Sequence, residues 1–125
     1  MTPASRDELA ARFSRYSSGP KQLDKALEAA LAGSVKRHRF LPSGRALYSV
    51  VGSSADEFID PAKEFCSCES YFYSVLGGKA EYCYHLLGYK IAEEAGLIRD
   101  VQFDDEEYYD FLMLLASDVL RSVSQ

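Results

Sequence analysis

The chain has 125 residues, of which 47% are hydrophobic and 26% are charged. This composition is typical of a soluble globular protein, and the length suits one domain with a single modest core. No apolar run approaches the roughly 20 residues that a membrane span needs, and the N-terminus lacks the layout of a signal peptide. We therefore expect one domain over residues 1–125 and no membrane contact. The expected location is intracellular, cytoplasmic in a prokaryote or nuclear in a eukaryote.

The formal charge of −5 is spread unevenly along the chain. Residues 1–45 carry nine Lys or Arg and four Asp or Glu, a net of +5, whereas residues 46–125 carry five Lys or Arg and fifteen Asp or Glu, a net of −10. The sequence-independent part of nucleic-acid binding is electrostatic. A protein this acidic is therefore expected to hold DNA weakly, or only through a partner.

Residues 1–33 have the signals of two helices. Ser5 and Glu8 have the spacing of a capping box at a helix start, and Pro20 and Gly33 suit the start and the end of a second helix. The apolar stripes predicted for the two helices are Leu9, Phe13 and Tyr16 in the first, and Leu23, Leu27, Ala30 and Leu31 in the second.

Residues 34–96 combine β-structure with a finger. Segments 35–41 and 45–51 flank a Pro-Ser-Gly turn signal and predict a hairpin. Further extended pieces are expected near residues 58–59 and 64–65. For residues 69–76, periodicity does not decide between helix and strand, and the aromatics at 71–73 are expected in the core rather than stacked on bases. A helix is predicted from about Tyr82 to Ala95.

Residues 97–125 predict a C-terminal helix, capped by Asp104 or Asp105. It has two apolar stripes, whereas a helix packed on one surface needs only one. One stripe is Tyr108, Phe111, Leu112, Leu115 and Val119, and the other is Tyr109, Met113, Ala116 and Leu120. The second stripe belongs either to a helix sandwiched within its own domain or to an interface, with a partner or in a homodimer. We place the candidate interface at Tyr109, Met113 and Leu120.

The three cysteines lie within eighteen residues of one another, close to one of only two histidines. An odd number fits poorly with a disulfide framework and favours a metal in a reducing compartment. Three thiolates and one imidazole are a common ligand set for structural Zn²⁺. The spacing predicts one structural zinc ion per chain, held by Cys66, Cys68, Cys83 and His85.

The local geometry of this site can be anticipated. Residues two apart on a regular helix point roughly 200° apart. Cys83 is therefore expected just before the helix or at its first position, with His85 in the first turn. The pair Cys66 and Cys68 needs a bent or bulged segment to turn both thiolates toward one point.

Other interpretations of the cluster are disfavoured. Buried cysteines can lie beside a core histidine by chance, but four suitable groups in two tight pairs argue against that. Catalytic zinc usually keeps an open position, and iron–sulfur clusters usually take four cysteines. With the cysteines assigned to zinc, no catalytic arrangement remains, and we predict that the protein is not an enzyme.

The pattern Cys-x-Cys, a spacer of fourteen residues and Cys-x-His is the signature of SWIM zinc-finger domains. The wider segment from Ser43 to Ala92 resembles the SWIM-containing subunit of the Shu complex, including its archaeal relatives, mainly through residues 43–54, 66–76 and 83–87. The resemblance implies a zinc-binding accessory protein of homologous-recombination DNA repair, with a RecA-fold recombinase paralogue as its partner. Gly88 and Glu69 depart from this family, which often has an alanine and usually a proline at these positions.

The alternative function is a self-sufficient DNA-binding zinc-finger protein or regulator. Its candidate phosphate contacts are Lys36, Arg37 and Arg39. His38, within the same basic run, is expected on a solvated strand face rather than as a fifth ligand or a base, because charge runs usually mark exposed surface. The predicted fold class is α+β: a small antiparallel sheet with a zinc-stapled SWIM finger, flanked by the N-terminal and C-terminal helices.

Overall fold

The computed structural model of the chain describes residues 5–51, 56–68, 71 and 75–123, with side chains described as far as residue 117. In this part of the chain, helices flank a five-stranded sheet, which confirms the α+β class. The elements in chain order are α1 Arg6–Phe13, α2 Pro20–Leu31, β1 Val35–Leu41, β2 Arg45–Val50, β3 Glu57–Asp60, β4 Phe65–Cys66, α3 Tyr84–Ala95, β5 Arg99–Asp104 and α4 Tyr108–Val123.

The sheet is mixed rather than purely antiparallel. Its strand order is β4-β3-β2-β1-β5; β1 to β4 pair antiparallel, whereas β5 pairs parallel to β1. The predicted hairpin and the two further extended pieces are thus confirmed, but β5 is a strand that we did not predict. Val101 and Phe103 alternate with polar residues there, which is a strand signal, but a six-residue segment does not reveal its distant partner.

The N-terminal helices begin where the sequence predicts. The Ser5 side chain accepts a hydrogen bond from the Glu8 backbone N–H at the start of α1, and Pro20 is the first residue of α2. Leu9 and Phe13 are buried, as are Leu23, Leu27 and Ala30, whereas Leu31 at the end of α2 is 43% exposed. The buried stripe of α2 therefore ends at Ala30, one residue earlier than expected.

One face of the sheet carries the main core, together with α2 and α3. Val35, Val50 and Ile59 are fully buried on this face, in one cluster with the apolar sides of the two helices. Helix α3 ends at Ala95, and Gly96, at φ 71°, adopts the left-handed conformation that commonly closes a helix. This core places the start of α3 beside β4.

The opposite face of the sheet is covered by α4. Phe40 of β1 stacks on Phe103 of β5, with ring centroids 5.5 Å apart, and meets Tyr108 and Phe111 of α4 edge-on. Asp104 and Glu107 form a capping box in the turn that precedes this helix, which agrees with the predicted cap at Asp104 or Asp105. The stripe that begins with Tyr108 therefore faces the sheet.

His38 lies beneath α4, so the prediction that it occupies a solvated strand face is wrong. Its side chain is only 8% exposed, its Nε2 lies 2.9 Å from Ser49 Oγ, and its ring centroid is 4.3 Å from that of Phe111. The strand alternates its side chains between two faces, and α4 covers the face that His38 shares with Phe40. Burial, and then the charge of Lys36, lower the pKa of His38 to about 4.

None of the helices in the described ranges has the length and apolar character that a bilayer span requires.

Candidate metal centre

The four predicted ligands converge at one point of the fold. The candidate ligand atoms of Cys66, Cys68, Cys83 and His85 all lie within 4.8 Å of one another, and all four residues are buried. Two come from the end of β4 and two from the start of α3. The structure thus brings together every residue of the predicted set.

A local arrangement around Ser67 turns both cysteines of the first pair toward the cluster. The Ser67 backbone N–H donates to the Phe58 carbonyl at 2.9 Å, and the Ser67 hydroxyl accepts from the Phe58 backbone N–H at 2.9 Å. The same hydroxyl donates to Glu57 at 2.7 Å. Since Ser67 is held on β3 by three hydrogen bonds, the residues on either side of it have fixed directions.

The second ligand pair is set by the N-terminus of α3. Cys83 is the N-cap residue with extended backbone dihedrals, and His85 is the second helical residue, in the first turn. This is the placement that the spacing predicts. Hydrogen bonds from the thiols of Cys66 and Cys68, and from backbone N–H groups at the helix start, lower the pKa of Cys83. A thiolate is therefore favoured at this end of the helix.

Two observations show that the donor set fits a metal ion. The Nδ1 atom of His85 is buried and has no hydrogen-bond partner within the described ranges, although buried polar atoms are normally paired. In addition, hydrogen bonds with the thiols of Cys68 and Cys83, together with burial, raise the pKa of Cys66. A cation would satisfy the imidazole and neutralise the thiolates, and three sulfur atoms with one nitrogen match the preference of Zn²⁺.

The chemistry of such a site is structural. Zn²⁺ held by Cys66, Cys68, Cys83 and His85 would supply a cross-link between β4 and the start of α3. The Tyr71 backbone N–H donates to Cys68 Sγ at 3.3 Å, an outer-shell contact of the kind that orients metal ligands. Tyr71 is itself buried, as predicted, whereas residues 72–73 lie outside the described part of the chain.

The three candidate phosphate contacts do not form one patch. Because side chains alternate along β1, Arg37 and Arg39 lie on one face of the sheet and Lys36 on the other. Both guanidinium groups bind Asp100 of β5: Arg37 Nε donates at 2.9 Å and an Arg39 terminal nitrogen at 2.5 Å. The Arg37 hydrogen bond, with help from Arg39, lowers the pKa of Asp100 to about 2. Nucleic-acid contact by these residues stays a prediction.

Two of the three candidate interface residues, Tyr109 and Met113, lie on the outer side of α4. Tyr109 is 70% exposed and Met113 is 69% exposed. The side chain of Leu120 lies beyond the described ones. Leu115, of the other stripe, is buried. The two stripes of α4 thus have different surroundings, and their role in partner binding stays a prediction.

Sequence reasoning missed two residues that shape these surfaces. Ser67 supports the first ligand pair, and its only signal is a hydroxyl residue between two cysteines. Asp100 neutralises Arg37 and Arg39, and nothing local identifies it, because 63 residues separate Asp100 from Arg37.

Two curated relatives of the chain are named as SWIM zinc-finger proteins. The chain is 29% identical over 85 residues to "Zinc finger SWIM domain-containing protein 7 homolog" of Dictyostelium discoideum, covering 66% of this chain and 54% of the relative. It is 31% identical over 75 residues to "Zinc finger SWIM domain-containing protein 7" of Homo sapiens, covering 58% of this chain and 54% of the relative. The chain thus spans about half the length of the curated relatives that it matches.

No protein-family model matches the chain, and no solved structure matches it significantly. The buried cluster of three cysteines and one histidine and the two relatives together support a zinc-binding protein. The comparisons confirm that the chain is related to SWIM zinc-finger proteins, as the spacing of its cysteines and histidine predicts.

Proposed function

We propose that this protein is a non-catalytic accessory of homologous-recombination DNA repair, which binds one Zn²⁺ per chain and acts as an adaptor for a RecA-fold recombinase paralogue. The observation that carries the proposal is the combined run from Ser43 to Ala92. It resembles the SWIM-containing subunit of the Shu complex, and it contains the complete ligand set in one buried cluster.

In this function the metal serves the shape of the protein rather than a reaction. The zinc ligands come from two segments separated by fourteen residues, and the metal ties them together beside the sheet. Four protein ligands leave no open position for a substrate or an attacking water. The adaptor role therefore rests on surfaces that the zinc-stabilised fold presents.

The test is recovery of a defined class of partner. The tagged full-length protein is purified from native extract with zinc retained, and co-purifying proteins are identified by mass spectrometry. We expect a RecA-fold protein in near-stoichiometric amount, and the same complex when the two purified proteins are mixed. Absence of a RecA-fold protein under these conditions contradicts the proposal.

A matched variant separates a specific complex from adventitious capture. Cys68→Ser removes one ligand, and we expect it to lose both zinc and the RecA-fold partner. Leu76→Ser changes a side chain that is 63% exposed in the same finger, and we expect it to keep both. Salt-dependent binding of the isolated protein to DNA, without any partner, would favour the DNA-binding alternative instead.

A further inference from the structure

The outer side of α4 is an apolar surface without a neighbour in the described part of the chain. Tyr109, Met113 and Leu114 are exposed to 70%, 69% and 70%. Among the described residues, the other large apolar side chain exposed beyond 60% is Leu76, on the finger. Tyr109 and Met113 lie one turn apart on the same side of the helix, and Leu114 lies one turn after Asp110 on the neighbouring side. Exposed large apolar side chains grouped in this way mark interaction surfaces in soluble proteins.

Two acidic side chains border this patch. Glu106 lies three residues before Tyr109, and Asp110 lies three residues before Met113, so each is a neighbour on the helix surface. Both are exposed, and neither side chain makes a hydrogen bond or ion pair with the described residues. The patch therefore combines exposed apolar side chains with two carboxylates that no described side chain compensates.

The charge argues against a second copy of this chain as the occupant. In a two-fold symmetric dimer the same patch lies on both sides of the interface, so Glu106 and Asp110 of both copies would bring four carboxylates into one contact. Juxtaposed like charges are unfavourable at an interface. A different protein with apolar residues and a Lys- or Arg-rich rim would complement both features.

We propose that the patch formed by Glu106, Tyr109, Asp110, Met113 and Leu114 docks a basic amphipathic helix of a protein partner. The proposal rests on the adaptor function above and specifies its contact. The apolar residues supply the centre of the interface, where most of the binding energy is concentrated, and the two carboxylates select the sign of the partner and speed its association.

The docking site can be tested without knowing the natural partner. Two synthetic amphipathic helices, one of leucine and lysine and one of leucine and glutamate, are titrated against the zinc-loaded full chain by fluorescence anisotropy. We expect binding of the lysine peptide and much weaker binding of the glutamate peptide. The double variant Tyr109→Ala with Met113→Ala should lower the affinity for the lysine peptide about thirtyfold, which corresponds to the loss of at least one hot-spot residue. Melting should not change, since both side chains are exposed.

Charge reversal gives the sharper test. Glu106→Lys with Asp110→Lys should exchange the preference between the two peptides, while the control Leu76→Ala, at a similarly exposed leucine, should change neither affinity. Equal affinity for both peptides, or binding unaffected by the α4 variants, overturns the proposal. A dimer in sedimentation analysis that Met113→Glu dissociates also overturns it, because the patch would then bind itself.

The outcome for this site and for the adaptor function can be separated. If a RecA-fold protein co-purifies with both the wild type and the Tyr109/Met113 double variant, the function stands and the α4 site is overturned. If no RecA-fold protein is recovered but the lysine peptide binds as described, the adaptor function fails and the docking site stands for another basic partner.

Discussion

Cys68 is the ligand whose loss is easiest to interpret, because its neighbour Ser67 is held on β3 by hydrogen bonds that do not involve the ligands. We expect Cys68→Ser to reduce zinc to well below one equivalent and to destabilise the fold markedly. Binding free energy at structural zinc sites is coupled to folding and reaches on the order of 10–16 kcal/mol in peptides. Elemental analysis together with thermal unfolding measures both effects.

The control for this prediction is Leu76→Ser, which alters the finger without touching a ligand. It should retain one equivalent of zinc and the wild-type melting temperature. A Cys68→Ser protein that still holds a full equivalent of zinc with unchanged stability would show that the remaining three residues, or others, form the site.

His38 gives the fold a pH dependence. Its pKa is about 4 in the folded protein against 6.5 in the unfolded chain, so the unfolded chain takes up a proton that the folded protein does not. The resulting stability is present above pH 6.5 and is lost as the pH falls toward 4. Between pH 8 and 5.5 the wild type should lose about 1.4 kcal/mol of unfolding free energy more than His38→Gln.

This difference is measured by urea unfolding of both zinc-loaded proteins at the two pH values. Zinc ligands titrate identically in the two proteins, so comparing them isolates His38. Parallel loss of stability in both would mean that His38 is already protonated or solvated in the folded state.

At the scale of elements, Gly88 determines how closely α3 approaches α2. A Cβ built at Gly88 would lie 3.3 Å from the Ala26 carbonyl oxygen and 3.5 Å from Ala29 Cβ. Glycine costs a helix about 1 kcal/mol relative to alanine, but here the absent side chain allows the two helices to touch. Gly88, one of the two positions at which this chain departs from the family that it resembles, is therefore a packing position.

We expect Gly88→Val to lower the unfolding free energy by about 1–3 kcal/mol, the usual cost of overpacking. Gly88→Ala should fall close to the wild type, because the gain in helix propensity opposes a tight contact. Glu94→Val compared with Glu94→Ala, at an exposed position of the same helix, measures the cost of β-branching, because both variants lose the ion pair with Arg12. Chemical denaturation compares these proteins, and a Gly88→Val loss no larger than the difference between the two Glu94 variants would contradict the close approach.

For the whole molecule, the charge distribution predicts weak intrinsic DNA binding. The chain has a net charge of −5, and the two arginines of the candidate patch bind Asp100. We expect a dissociation constant no tighter than the 10⁻⁴ to 10⁻⁶ M typical of non-specific binding at physiological salt. Fluorescence anisotropy titrations with single-stranded and duplex DNA measure this dissociation constant.

Asp100→Asn is the informative variant in that experiment. It releases Arg37 and Arg39 from their shared carboxylate, so a modest increase in affinity with a steeper salt dependence is expected. Nanomolar binding by the wild type, abolished by Arg37→Ala with Arg39→Ala, would favour the DNA-binding alternative.

The sequence by itself determined the features that short stretches of chain control. Capping at Ser5, the proline start of α2, the placement of Cys83 before α3 and each of the two ligand pairs depend on residues within a few positions of one another. The hairpin follows from one turn between two β-rich segments. The predicted ligands lie together in the fold for the same reason, because ligand type and spacing constrain a metal site directly.

Tertiary structure decided the features that depend on distant pairing. The parallel contact of β5 with β1 joins residues that lie 63 apart, Lys36 and Arg99 for example, and it places Asp100 against the two arginines. The same pairing brings α4 across the sheet, which buries His38 and leaves Tyr109 and Met113 outside. Hydrophobic periodicity identifies two apolar stripes on α4, but which stripe is buried depends on the surface that the rest of the fold supplies.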